Sequence, residues 1–195
     1  MNLTNIKELF ESQFSQHIYT LSEISEDDTN NISLCPFKNK FLNFDEIAKE
    51  YDSSWATTDM IFFDLEKEYI VFVEYKNGKI KSSNKPKIKQ KFLDSFALFY
   101  KILKIDKSTF WNLKTYLIFV TNKEKNQNQL NHRNYLSITD ELLDILEDNI
   151  ILYGFDIYKP WYFDEIKTPF CDEFKEFMQN NFNISLEEET NNENI

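Results

Sequence analysis

Asp59, Glu74 and Lys76 are charged residues set in a stretch that otherwise favours burial: TDMIFFDLEKEYIVFVEYKNG, residues 58–78. Its two apolar runs, rich in Ile, Phe and Val, predict a pair of strands. With Leu65-Glu66-Lys67-Glu68 as a four-residue loop, Asp64 pairs with Tyr69, and a constant antiparallel register sets Asp59 opposite Glu74. Side chains alternate along a strand, so Asp59, Glu74 and Lys76 share one face at one end of the hairpin. A slip of one residue would send Asp59 to the other face, so the grouping depends on register.

Facing carboxylates repel, and burying them is costly unless something compensates. A divalent cation between Asp59 and Glu74 removes the repulsion. Mg²⁺, with Mn²⁺ as a substitute, takes a few carboxylate oxygens and fills its shell with water and phosphate oxygens. A lysine beside it can orient a water, help deprotonate it, or stabilise charge on a phosphorane-like transition state. The chemistry implied is metal-assisted hydrolysis of a phosphodiester, with no histidine in the site. The competing reading is a surface ion pair of Glu74 and Lys76 at a strand end. Asp64 is an alternative ligand, better placed as a turn residue.

The surrounding elements must hold these groups. Ile6, Leu9, Phe10, Phe14 and Ile18 recur near helical spacing behind Thr4, a possible N-cap. SEISEDDTNN is an acidic loop, and NFDEIAKEY is a short helix capped by Asn43. After the hairpin, SSNKP turns into KIKQKFLDSFALFYKIL, whose Ile88, Phe92, Phe96, Phe99 and Leu103 form one apolar face, with Pro86 in the first turn. KTYLIFVTN is a buried strand, NKEKNQNQLNHRN a polar loop, SITDELLDILED a helix and NIILYGFDIY a further strand. PFCDEFKEFMQNNF is a last helix, started by Pro169. The expectation is an α/β or α+β domain over 1–185 with a central mixed sheet flanked by helices, then an acidic, disordered tail over 186–195.

The chain has 195 residues and a formal net charge of −11, which by itself disfavours nucleic acid as a partner. The charge is uneven: from Lys76 to Lys107 ten lysines face two acids, Asp94 and Asp106. A basic stripe therefore lies beside the three candidate residues on an otherwise acidic body, and its blander reading is a solvated face. Cys35 and Cys171 form no metal-binding pattern and read as buried thiols. No secretory leader and no membrane span are expected, so the reading is a soluble cytoplasmic protein with no membrane partner.

Asp59, fourteen residues, then Glu74-Tyr75-Lys76 resembles the D…(D/E)-x-K signature of the PD-(D/E)XK nuclease superfamily, with Thr58 where the pattern often has Pro. The resemblance implies a restriction-endonuclease-like core: a helix, an antiparallel meander of three strands, a helix and a fourth strand. It covers residues 43–122. It further implies Asp59 and Glu74 as Mg²⁺ ligands and Lys76 as the catalytic lysine. Gln90 is the candidate polar residue on the following helix. Lys79, Lys81, Lys87, Lys89 and Lys91 are candidates for contacts with the phosphates of DNA, with RNA not excluded. An acid from an earlier helix is common in the family; Glu8, Glu11, Glu46 and Glu50 remain open. The first meander strand is expected near ISLCPF or within SSWATT.

His17 and His132 read as structural or exposed. No HExxH, GxSxG, P-loop or Rossmann pattern occurs. Trp161, Tyr162, Phe163 and Phe170 could stack unpaired bases but fit a core or an interface better. The alternative function is a non-catalytic acidic interaction protein, either an immunity-type inhibitor of a basic partner or a structural nuclease-fold subunit. A protein partner or homodimer is compatible with either.

Overall fold

Strict alternation along Tyr69–Lys76 divides the core in two. Ile70 and Phe72 face one layer, Val71, Val73 and Tyr75 the other, so this strand is covered on both sides. The computed structural model describes residues 2–27, 31–104, 112–126 and 151–189. In chain order they form α1 (Leu3–Gln13), β1 (Ile18–Thr20), α2 (Leu21–Ile24), β2 (Glu26–Asp27), β3 (Ile32–Ser33), β4 (Lys40–Asn43) and α3 (Phe44–Tyr51). There follow β5 (Met60–Asp64), β6 (Tyr69–Lys76), α4 (Lys85–Leu103), β7 (Lys114–Thr121), α5 (Lys123–Asn126), β8 (Glu165–Lys167) and α6 (Phe174–Phe182).

The protein is α/β, with a mixed six-stranded sheet ordered β1-β4-β5-β6-β7-β8. β1, β4, β5 and β6 run as antiparallel neighbours, while β7 and β8 join in parallel. The crossover from β6 to β7 carries α4, as a parallel connection requires. α1, α3 and α4 cover one face through Ile6, Phe10, Phe44, Ile47, Phe92 and Phe99. α2 and α6 cover the other through Leu21, Ile24, Phe174, Met178 and Phe182. No described helix is long and apolar enough to cross a membrane.

The expected hairpin is present in the expected register, from Asp64↔Tyr69 to Met60↔Val73. α3 is capped by Asn43, whose side chain accepts from Glu46 N. α4 carries Pro86 in its first turn. Several expectations are corrected. α1 is capped by Asn2, not Thr4, because the Asn2 side chain accepts from Asn5 N and starts the helix earlier. The first meander strand is β4, which lies outside both ISLCPF and SSWATT. ISLCPF instead yields β3 in a separate two-stranded sheet, and residues 53–58 form no strand.

The run at 151–158 is not a strand. It forms two 3₁₀ turns, Leu152–Gly154 and Asp156–Tyr158, with Tyr153 at φ 65° and Gly154 at φ 73°. Two consecutive left-handed residues cannot extend. β8 supplies the last rung instead. α6 begins at Phe174 rather than Pro169, after a turn over 171–173. The ordered chain continues past 185. Leu186 is buried, Glu188 bridges to Phe37, and Lys38 N donates to the Glu187 carbonyl. Phe163 and Phe170 are core residues, whereas Trp161 and Tyr162 are exposed. The expected helix at 137–148 and His132 lie outside the described residues.

Candidate active site

β5 stops pairing with β6 just before Met60, because the chain ahead of it is tied to α4. Ser95 Oγ accepts from Thr58 N at 2.7 Å, and Asp94 Oδ2 accepts from Ala56 N at 3.2 Å. The two strands splay there. Asp59 Oδ2 fills the gap by accepting from Tyr75 N at 2.6 Å, in place of a strand carbonyl. Its other oxygen is left to point along the α4 face, where Glu74 also points.

Glu74 is 2% exposed. Lys91, from the second turn of α4, reaches between the two acids. Its Nζ lies 3.0 Å from Asp59 Oδ1, 2.8 Å from Glu74 Oε1 and 2.9 Å from Glu74 Oε2. The two carboxylates therefore converge on one point, as the register implied. Burial, and then the charge of Asp59, push the Glu74 carboxyl well above the usual range, while Lys91 opposes both. Burial disfavours the Lys91 ammonium, but Asp59 and Glu74 outweigh it and raise its pKa. Both Glu74 oxygens accept from the ammonium, while a side-chain contact with Asp59 adds to the upward shift. At Glu74 the net direction is upward, because burial and Asp59 outweigh Lys91.

Above this triad opens a cleft of about 670 Å³. Lys76 lines it, on the same face as Glu74, and its Nζ forms no ion pair or hydrogen bond among the described residues. The end of β6 is clamped from β7 and α5. Asn122 N donates to the Lys76 carbonyl at 3.3 Å, Asn126 Nδ2 to the Gly78 carbonyl at 3.3 Å, and Ile80 N to Asn126 Oδ1 at 2.9 Å. Asn126 is buried. Asn126→Ala is expected to cost about 1–3 kcal/mol and to speed amide exchange at Ile80, measured by urea unfolding and hydrogen exchange.

The other candidates separate. Gln90 lines the cleft and donates to Asp94 Oδ2 at 3.3 Å. Lys87 lines it one helical turn before Lys91. Lys91, a candidate phosphate contact, is paired with Asp59 and Glu74 in this structure. Lys89 points away, its Nζ 5.8 Å from the Tyr158 ring centre, because it lies about 200° around α4 from Lys87. Lys79 and Lys81 are exposed but do not line the cleft. Of the candidate early acids, none lines it. Glu8 is exposed, Glu11 pairs with Lys7, Glu46 with Lys49, and Glu50 with His17. Asp64 caps the hairpin turn, accepting from Glu66 N and Lys67 N. Glu26 and Asp27 also line the cleft and add acidic groups to it. Both fall in the stretch expected to be an acidic loop, and only their charge hints at a role.

Hard oxygen donors aimed at one point suit Mg²⁺ or Mn²⁺. Among the described residues no cluster of three or more His, Cys, Asp or Glu is arranged to hold a metal. Asp59 and Glu74 are the two carboxylates that could hold an ion, with water and phosphate completing its shell.

Lys91, Tyr75 and Tyr116 all have raised pKa values, the tyrosines through burial. Each group releases its proton more readily when unfolded. Its contribution is intact below the unfolded value, 10.0 for tyrosine and 10.5 for lysine, and is lost as pH rises beyond it. Cys35, raised by burial from 9.0, adds the same loss at lower pH, so urea midpoints should begin to fall near about pH 9 and fall steeply above about pH 10.

No protein-family model, no curated protein and no solved structure matches the chain.

Proposed function

We propose that the protein is a Mg²⁺-dependent nuclease that hydrolyses phosphodiester bonds in DNA, with a restriction-endonuclease-like core. One observation carries the reading. Asp59 and Glu74 converge on a single point at the floor of an open cleft, and Lys76 stands unpaired at its wall among the described residues. The order of elements supports it: α1, then the β4-β5-β6 meander, α4, and β7 in parallel with β6. α3, between β4 and β5, is an addition to that order.

In this reading Asp59 and Glu74 hold the ion, which when bound supplies an acidified water and neutralises charge on the phosphate. Lys76 orients that water and stabilises the developing negative charge. Gln90 and Lys87 position the strand from α4. Glu26 repels phosphate, which keeps the backbone toward the lysines of the cleft.

The test is incubation with supercoiled DNA, linear duplex and single-stranded RNA, in Mg²⁺, Mn²⁺ or chelator. The reading expects metal-dependent cleavage of DNA, lost in Asp59→Asn. Cleavage of RNA alone would move the substrate class. No cleavage of any substrate, with tight binding to a basic protein, would favour the interaction-protein reading, for which the Lys91 ammonium already bridging the two carboxylates is the supporting observation.

A further inference from the structure

We infer that Lys91 is the built-in counter-cation of the metal site. Its ammonium and a divalent ion compete for one point, and the side chain leaves the carboxylates when the ion enters. The inference rests on the metal-site reading above. Lys91 Nζ contacts one Asp59 oxygen and both Glu74 oxygens at 2.8–3.0 Å. It therefore sits where the two carboxylates converge.

A divalent ion would draw those oxygens to about 2.0–2.6 Å, so the site has no room for both cations, and their like charges repel. The free protein needs the lysine there, because Glu74 is 2% exposed and faces a second carboxylate. The route out is open. The Lys91 side chain is 29% exposed, and it lines the cleft beside Lys87. Its backbone is held in the helix while the stem swings, since Ser95 Oγ donates to the Lys91 carbonyl at 2.7 Å.

Binding of the ion and of DNA is coupled as a result. The free protein holds divalent ions weakly, because each must displace the ammonium. A DNA phosphate that accepts the released lysine raises ion affinity, and the ion raises DNA affinity by the same factor.

Acylation of surface amines, read by mass spectrometry, follows Lys91 in the wild-type protein. Lys91 should react more slowly than Lys87 without metal, and several-fold faster when Mn²⁺ saturates the site. Lys91→Met should bind Mn²⁺ at least about tenfold more tightly than wild type in the absence of DNA. The footprint needs no variant, so a poorly folding Lys91→Met leaves the inference open to contradiction. Unchanged Lys91 reactivity under saturating Mn²⁺, or equal Mn²⁺ affinity in wild type and variant, would overturn it while leaving the metal site standing. Absence of Mn²⁺ binding in both proteins, with or without DNA, removes the metal site itself and the inference with it.

Discussion

Lys76→Met protein should bind a DNA duplex as tightly as wild type and cleave it about 10²–10³-fold more slowly, the cost of removing one preorganised charge from a transition state. The expectation follows from where the side chain stands. Lys76 shares a face with Glu74, lines the cleft and has no described partner to lose. Its removal leaves the Lys91 bridge between the two carboxylates in place, so folding should change little. Lys87→Met gives the contrasting result. Lys87 lines the cleft but stands on α4, apart from the strand end that carries Lys76. Its loss should weaken DNA binding and reduce the salt dependence by about one counter-ion, with turnover at saturation preserved. Single-turnover rates at saturating protein separate the two effects. Equal losses of rate from both variants would mean that chemistry and strand binding are not divided between these two lysines.

Lys91→Met should lose about 3 kcal/mol of stability, the cost of stranding a buried charge whose partner is gone. Two carboxylates would then face each other, with Glu74 at 2% exposure. Pairing Lys91→Met with Glu74→Gln should recover a substantial part of the loss, because the second change removes the stranded charge. The two effects are therefore far from additive, as expected for groups in direct contact. Urea unfolding of wild type, Lys91→Met, Glu74→Gln and the double variant at one pH, completed as a double-mutant cycle, measures the coupling. Additive effects would mean that the ion pair contributes nothing to the fold.

Much of this site is legible in the sequence because it depends on register, and register follows from period. The hairpin has a polar four-residue loop between two apolar runs, and that pattern alone is enough to set Asp59 against Glu74. α4 and β7 are likewise legible from their helical and continuous apolar patterns. β4 is not, since Lys40–Asn43 is four residues long and ends as the cap of α3. Residues 151–158 mislead in the opposite sense, because an apolar run carries no mark of its backbone angles. Lys91 misleads through the company it keeps. Its neighbours Lys87 and Lys89 suggest a solvated basic face, yet Ile88, Phe92 and Ser95 are buried around it. Ser95, a polar residue in an apolar stripe, is the available clue: it holds Thr58 and marks where α4 meets the end of β5.

Everything proposed for this protein depends on Asp59 and Glu74 being a metal site. Calorimetric titration of Mn²⁺ into the protein bound to a short DNA duplex tests this most directly, on wild type and on Glu74→Gln. The account predicts saturable binding in wild type, weaker without the duplex, and its loss in the variant. Saturable binding of equal strength in both proteins, or none in either, would leave the three charges as an ion-paired cluster at a strand end and contradict the nuclease reading.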